Sequence, residues 1–137
     1  MKYESLIIAV DFDGTIVEDQ YPRIGKPIIF AFETLKRLQE KGHRLILWTY
    51  RKGSSLQEAV DFCKQNGIVF YAVNSSFPEE KFDGSYSRKI HADLFIDDRN
   101  FGGMKDWGEI YLTLIGEKNG QLPKPKKQRK GWLSIFK

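Results

Sequence analysis

The chain has 137 residues, the length of one domain, and its 41% hydrophobic and 29% charged content suits a globular protein with a real core. No apolar run approaches a membrane span; the start MKYESLIIAV is not that of a signal peptide, because Glu4 interrupts it and Asp11 ends it; and Cys63, the single cysteine, excludes an intramolecular disulfide and points to a reducing cytoplasm. The net charge of +4 is uneven: residues 1–119 hold 16 Lys and Arg and all 18 acidic residues, whereas residues 120–137 hold six basic residues and no acidic one. The chain therefore reads as a slightly acidic domain, 1–119, followed by a basic tail, 120–137, in which Pro, Lys and Gln dominate.

In chain order, Leu6–Val10 reads as a strand buried on both faces, as in a parallel sheet. Pro27 is expected near the start of a helix that carries Ile28, Ala31, Phe32, Leu35 and Leu38 at helical spacing and ends at Gly42. Arg44–Trp48 is a second strand. Ser55 and Glu58 have the spacing of a capping box, opening a helix with Leu56, Ala59, Val60 and Cys63 on one face and Gly67 at its end. Cys63 on that apolar face suits core packing better than reactivity. Ile68–Val73 is a third strand, followed by a long polar loop, and Ala92–Ile96 is a fourth. Asp106 can cap a last helix with Trp107, Ile110, Tyr111, Leu114 and Ile115 on one stripe. No internal repeat is present.

Strands alternating with helices imply right-handed crossovers and a three-layer α/β fold around a mainly parallel sheet. In such sheets ligands sit at the carboxyl ends of the strands. The four predicted strands end in Asp11, in Thr49, in Asn74, and in Asp97 with Asp98. Four polar endings on one rim, two of them acidic, read as a cation site beside a hydroxyl.

Several carboxylates at one rim suit a hard, oxygen-liking cation, with Mg²⁺ the default where phosphate is handled. His43 and His91 lack the spacing of a zinc motif. One carboxylate is then free to attack phosphorus, and a second, two residues away, is placed to give a proton to the leaving group and later to take one from water. Such chemistry is mostly positioning and charge neutralisation, so it also needs donors for the phosphoryl oxygens: Thr49 and a lysine.

The stretch DFDGT at Asp11–Thr15, Thr49 after the second strand, Lys89 upstream of the fourth and the Asp97–Asp98 pair at its end resemble, in order and spacing, the four motifs of the haloacid dehalogenase-like superfamily of phosphatases. The resemblance covers roughly residues 5–116. It implies a Rossmann-like catalytic domain and Mg²⁺-dependent phosphomonoester hydrolysis through an aspartyl-phosphate intermediate. By the same resemblance Asp11 is the nucleophile and a metal ligand. Asp13 is the general acid/base, with its backbone carbonyl on the metal. Thr49 and Lys89 bind the phosphoryl group, Asp98 holds the metal directly and Asp97 holds it through water. An acidic residue at position 13 favours phosphatases and mutases over the aspartyl-phosphate ATPases, which carry Thr there.

Arg51 and Lys52 follow Thr49 and either reach the anionic leaving group of a substrate or are ordinary surface charge. Lys81 competes with Lys89 as the phosphate lysine. Only 35 residues separate Asp13 from Thr49 and 39 separate Thr49 from Lys89, and the predicted helices fill much of both, so no sizeable cap domain fits. The site is expected to be open, as in capless members, which act on large substrates or borrow a neighbouring subunit as a lid. Phe77, Phe82 and Tyr86 either form a partial lid or pack on the domain's own surface. A receiver-like signalling domain is the weaker reading of the rim, because the third strand ends in Asn74 where that fold would place its phosphorylated Asp. A nucleic-acid 3′-phosphatase or phosphate-binding module is the alternative function: the tail PKPKKQRKGWLSIFK suits phosphate backbones, an anionic membrane surface or plain solvation. The substrate is thus a phosphorylated small molecule or the end of a macromolecule.

Overall fold

In the computed structural model, residues 5–116 are described, and the basic tail expected at 120–137 lies outside them. Four strands, β1 (Ile7–Val10), β4 (Arg44–Leu47), β5 (Ala72–Val73) and β6 (Leu94–Ile96), form one parallel sheet in the order β5-β4-β1-β6. A separate antiparallel pair, β2 (Val17–Gln20) and β3 (Arg23–Pro27), follows β1 directly. The helices are α1 (Ala31–Glu40), α2 (Gly53–Gln65) and α3 (Trp107–Leu114). None of the described helices is long and apolar enough to cross a membrane.

The sequence patterns place these elements for identifiable reasons. Ile8, Val10, Leu45 and Leu47 point to one face of the sheet and join Ala31, Leu35 and Leu38 of α1, Ala59 and Cys63 of α2, and Trp107 and Tyr111 of α3 in one core. Burial pushes the Cys63 thiol up to about 12, which fits its packing role. The opposite face, Ala9 and Ile46 with Ala72, is covered by Ile90 from the irregular segment between β5 and β6. All three helices therefore lie on one face, and the expected third layer is present as a loop rather than as helix. Both α1 and α2 close with the paired bonds of a Schellman motif. At α1 the His43 N–H donates to Leu38 C=O at 3.1 Å and Gly42 N–H to Gln39 C=O at 2.9 Å; at α2 Ile68 and Gly67 repeat this on Cys63 and Lys64 at 2.9 and 3.0 Å. Asp106 caps α3 as expected, accepting from Glu109 N–H at 2.9 Å.

Three local expectations are corrected, and one hairpin was not foreseen. The third strand, expected at Ile68–Val73, is limited to Ala72–Val73. Pro27 does not open α1: it ends β3, paired with Val17, and the helix begins at Ala31. The β2–β3 hairpin escapes the sequence pattern because only Val17 in it is fully buried, so no apolar alternation marks it. The Ser55/Glu58 capping box does not form. The helix starts three residues earlier, with Lys52 at the N-cap, and Ser55 Oγ donates back to Lys52 C=O at 2.9 Å.

The chain runs from β1 outward to β4 and β5, then returns to place β6 on the other side of β1. The strand order thus reverses between β1 and β6, and the crevice beyond their carboxyl ends is where open α/β sheets hold ligands.

Candidate functional site

The loop leaving β1 is built on alternate anchors. Phe12 and Ile16 are fully buried, and Phe12 C=O accepts from Thr15 N–H at 3.1 Å and Ile16 N–H at 2.9 Å. The indole N–H of Trp107 donates to Thr15 C=O at 2.7 Å. With those residues held inside, Asp11 and Asp13 are left at the rim. Gly14 completes the turn at φ 85°, and a Cβ there would collide with the Asp98 carboxylate, so no other residue allows the two loops to close so tightly.

Across the β1/β6 crevice, Asp11 N–H donates to Ile96 C=O at 3.0 Å. Carboxylate oxygens of Asp11, Asp97 and Asp98 all lie within 4.8 Å of one another. The buried hydroxyl of Thr15 sits among them, 2.8 Å from Asp11 Oδ2 and 3.1 Å from Asp98 Oδ1, and it accepts the Asp98 N–H at 3.0 Å. Asp97 Oδ1 accepts from Arg99 N–H at 2.8 Å, a turn that fixes the β6 end. Burial, with the charge of Asp97 added, pushes the Asp11 carboxyl up to about 7, against the hydrogen bond from Thr15. No ion pair among the described residues reaches these three carboxylates. An all-oxygen donor set that crowds its own negative charge fits a hard divalent cation such as Mg²⁺.

Asp13 leaves the same loop in the other direction. Its carboxylate accepts two parallel bonds from Arg51, Nε to Oδ2 and Nη2 to Oδ1, both at 2.8 Å. The Asp13 side chain is therefore not in the three-carboxylate cluster. Arg51 is 1% exposed. Its remaining N–H groups go to backbone carbonyls of Pro22, Ser55 and Arg23 at 3.0, 3.1 and 2.8 Å. All five donors are committed, so the expected contact of Arg51 with a substrate has no N–H group left to make it.

Thr49 takes its expected place. Its N–H donates to Asn74 Oδ1 at 2.8 Å, joining the ends of β4 and β5, and its Oγ1 accepts from Arg51 N–H at 3.1 Å. Thr49 lines an open cleft of about 680 Å³ with Asp11, Asp13, Asp97 and Arg99; Tyr21, Trp48 and Tyr50 add aromatic walls. Arg99 was not singled out from the sequence, although it directly follows the acidic pair at the same strand end. Thr15 had a signal too, as the last residue of the DFDGT stretch.

Lys89 is not among the residues lining that cleft. It is exposed and borders a second cavity with Tyr71, Ser76, Phe77, Tyr86 and Phe95. Lys89 lies in the irregular segment before β6, which sets it beside Ile7 and Tyr71 at the starts of β1 and β5 and beside Ser76 and Phe77 beyond β5. Lys81 is exposed and also absent from the cleft lining. Phe77 and Tyr86 meet edge to face at 5.6 Å, and Arg88 lies 4.3 Å over the Phe82 ring. These aromatics pack within their own segment and form no lid over the acidic cleft.

No protein-family model matches the chain, and neither does any curated protein sequence. The chain is similar to a solved structure of a conserved protein coded by a locus of Bacteroides thetaiotaomicron. The two are 56% identical, the likeness covers 84% of this chain and 93% of that one, and the TM-score is 0.78. At that identity and coverage the chain belongs to the same family as this conserved Bacteroides thetaiotaomicron protein.

Proposed function

We propose that the chain is a capless phosphatase of the haloacid dehalogenase-like superfamily, hydrolysing a phosphomonoester through an aspartyl phosphate on Asp11. The observation that carries the reading is the convergence of Asp11, Asp97 and Asp98 beyond the β1/β6 crevice, with Thr49 on the same cleft. Asp11, Asp97 and Asp98 are the side chains that would hold Mg²⁺. When bound, the ion offsets the crowded negative charge and polarises the phosphoryl group.

Asp11 attacks phosphorus as the ester P–O bond breaks, and Asp13 gives its proton to the departing alkoxide. Asp13 then takes a proton from water as that water attacks phosphorus, and the bond to Asp11 breaks to release phosphate. The Thr49 hydroxyl orients the phosphoryl group. Its oxygen already accepts the Arg51 N–H, so its own O–H is free to donate to a phosphoryl oxygen. Arg99, which lines the cleft, supplies the neutralising cation that the sequence reading assigned to Lys89.

The test is hydrolysis of p-nitrophenyl phosphate by the purified chain with Mg²⁺, after exhaustive chelation, and with Mg²⁺ restored. Turnover that depends on the added ion supports the reading; turnover undiminished by chelation removes the metal, and no turnover on any phosphomonoester across a metabolite panel removes the reaction.

A further inference from the structure

The Arg51 guanidinium has no counterpart in the mechanism above, yet its charge is closely held on every side. It is 1% exposed, donates five hydrogen bonds, and lies 5.1 and 5.2 Å from the ring centres of Phe12 and Tyr21. Those bonds reach three places: the carboxylate of Asp13, the turn of the β2–β3 hairpin through Pro22 and Arg23, and the first turn of α2 through Ser55. The backbone N–H of Arg51 holds Thr49 Oγ1 as well. One residue thus touches both groups, Asp13 and Thr49, that the hydrolase reading needs aimed at the phosphoryl group.

We propose that Arg51 is a positioning residue that fixes the Asp13 carboxylate for proton transfer, an inference that rests on the hydrolase reading above. Three observations carry it. First, the pair is asymmetric: the Arg51 side chain is 0% exposed and that of Asp13 is 14%, so only the acid faces the cleft. Guanidinium does not release a proton, so exchange with a substrate runs through Asp13 alone. Second, the two parallel bonds fix the plane of the carboxylate, while each oxygen keeps a second lone pair that can carry or accept a proton. Third, a buried ion pair is weak evidence for stability, because apolar residues of similar volume often serve as well. A guanidinium satisfied at every N–H, and gripping an acid that opens to the cleft, is better explained by orientation. Lysine cannot substitute, since a point charge does not reproduce the planar fork.

The experiment compares Arg51→Lys, Asp13→Asn and the double variant with the wild-type chain. Single-turnover rates are measured with Mg²⁺ on a primary-alcohol phosphate and on p-nitrophenyl phosphate. The alkoxide needs a proton to leave; the nitrophenolate does not. Arg51→Lys is expected to cut the alkyl rate about 10–100-fold more than the aryl rate. In the Asp13→Asn background it is expected to cost no more than about 2-fold further on either ester, because its effect runs through Asp13. Equal losses on both esters, or an undiminished loss in the Asp13→Asn background, overturn the proposal and leave the hydrolase reading standing. A wild-type chain that turns over neither ester overturns both. Should Arg51→Lys fold poorly, Arg51→Ala assayed with added methylguanidinium takes its place. Recovery of the alkyl rate in Arg51→Ala but not in Asp13→Asn/Arg51→Ala supports the proposal, and recovery in neither overturns it.

Discussion

Asp11 and Asp13 leave the same strand end, two residues apart, for opposite surroundings. Asp11 is turned toward two further carboxylates and a hydroxyl, with no ion pair among the described residues, and its pKa rises to about 7. Asp13 is turned into the fork of a buried guanidinium. The tight turn at Gly14, with Phe12 and Ile16 anchored inside, is what lets the chain separate two like charges that an extended strand would hold on one face. The difference teaches that such a pair need not share one fate: one acid is crowded by further carboxylates, and the other is paired with a cation of the chain itself.

The largest effect that can break this contrast is on rate. On the proposed mechanism Asp11→Asn loses at least about 10⁴-fold in turnover, since an amide neither attacks phosphorus nor ligates the metal well. Asp13→Asn loses about 10²–10⁴-fold on an alkyl phosphate and much less on p-nitrophenyl phosphate. Rapid-quench assays on both esters check this. Equal losses from Asp13→Asn on the two esters would mean that Asp13 shapes the loop without moving a proton.

The next effect is on stability. Arg51→Met strands Asp13 and removes the link from the β2–β3 hairpin to α2, at an expected cost of about 3–5 kcal/mol. Urea unfolding followed by circular dichroism measures it. A cost below about 1 kcal/mol would show that the Arg51 network is dispensable to the fold. Smaller again is the contrast between two cations. Arg99→Ala should slow phosphate-ester hydrolysis by about 10–100-fold, the cost of a lost charge-assisted contact, whereas Lys89→Ala should change it less than about 2-fold. A reversed ranking would put the segment before β6 at the active rim.

Why one half of the contrast was legible and the other was not follows from what each rests on. The strand ends are marked by apolar runs that stop at polar residues, so Asp11, Thr49, Asn74 and Asp97–Asp98 could be assigned to one rim from period and order alone. The cluster then follows from topology, because β1 and β6 flank the strand-order reversal. The Asp13–Arg51 pair depends on side-chain direction in two irregular loops, which no periodicity encodes. Arg51 reads in sequence as one more charge near Thr49, and nothing in TYRKGSS marks it as 1% exposed. The β2–β3 hairpin that encloses it is mostly polar, so its pairing was invisible as well. Lys89 was assigned by motif order alone, and its side-chain position depends on the irregular segment before β6, which sets it beside a second cavity and not in the acidic cleft.

The smallest expected effect sharpens the comparison most, because it has opposite signs at the two aspartates. Without metal, the folded chain holds a proton on Asp11 up to about pH 7, whereas the ordinary value is 3.8. Across that window the native state binds more protons than the unfolded one, so stability falls as pH rises from about 4 to above 7. Above pH 7 the half-buried carboxylate is charged among like charges. A shift of that size would correspond to about 4 kcal/mol in a fully enclosed group, and solvent screening at this partly exposed one reduces it to about 1–2 kcal/mol. Asp11→Asn removes the titration and should therefore stabilise the metal-free chain at pH 8 by about that amount, with little change at pH 4. Asp13→Asn should destabilise it at pH 8, because it weakens the grip of Arg51. Saturating Mg²⁺ should erase the advantage of Asp11→Asn, since the ion stabilises the native wild type by mass action. Thermal melts of the three chains at both pH values, with chelator and with Mg²⁺, measure all of this. If Asp11→Asn melts lower than wild type in chelator at pH 8, Asp11 is already balanced by the protein itself, and the cluster has no need of a cation.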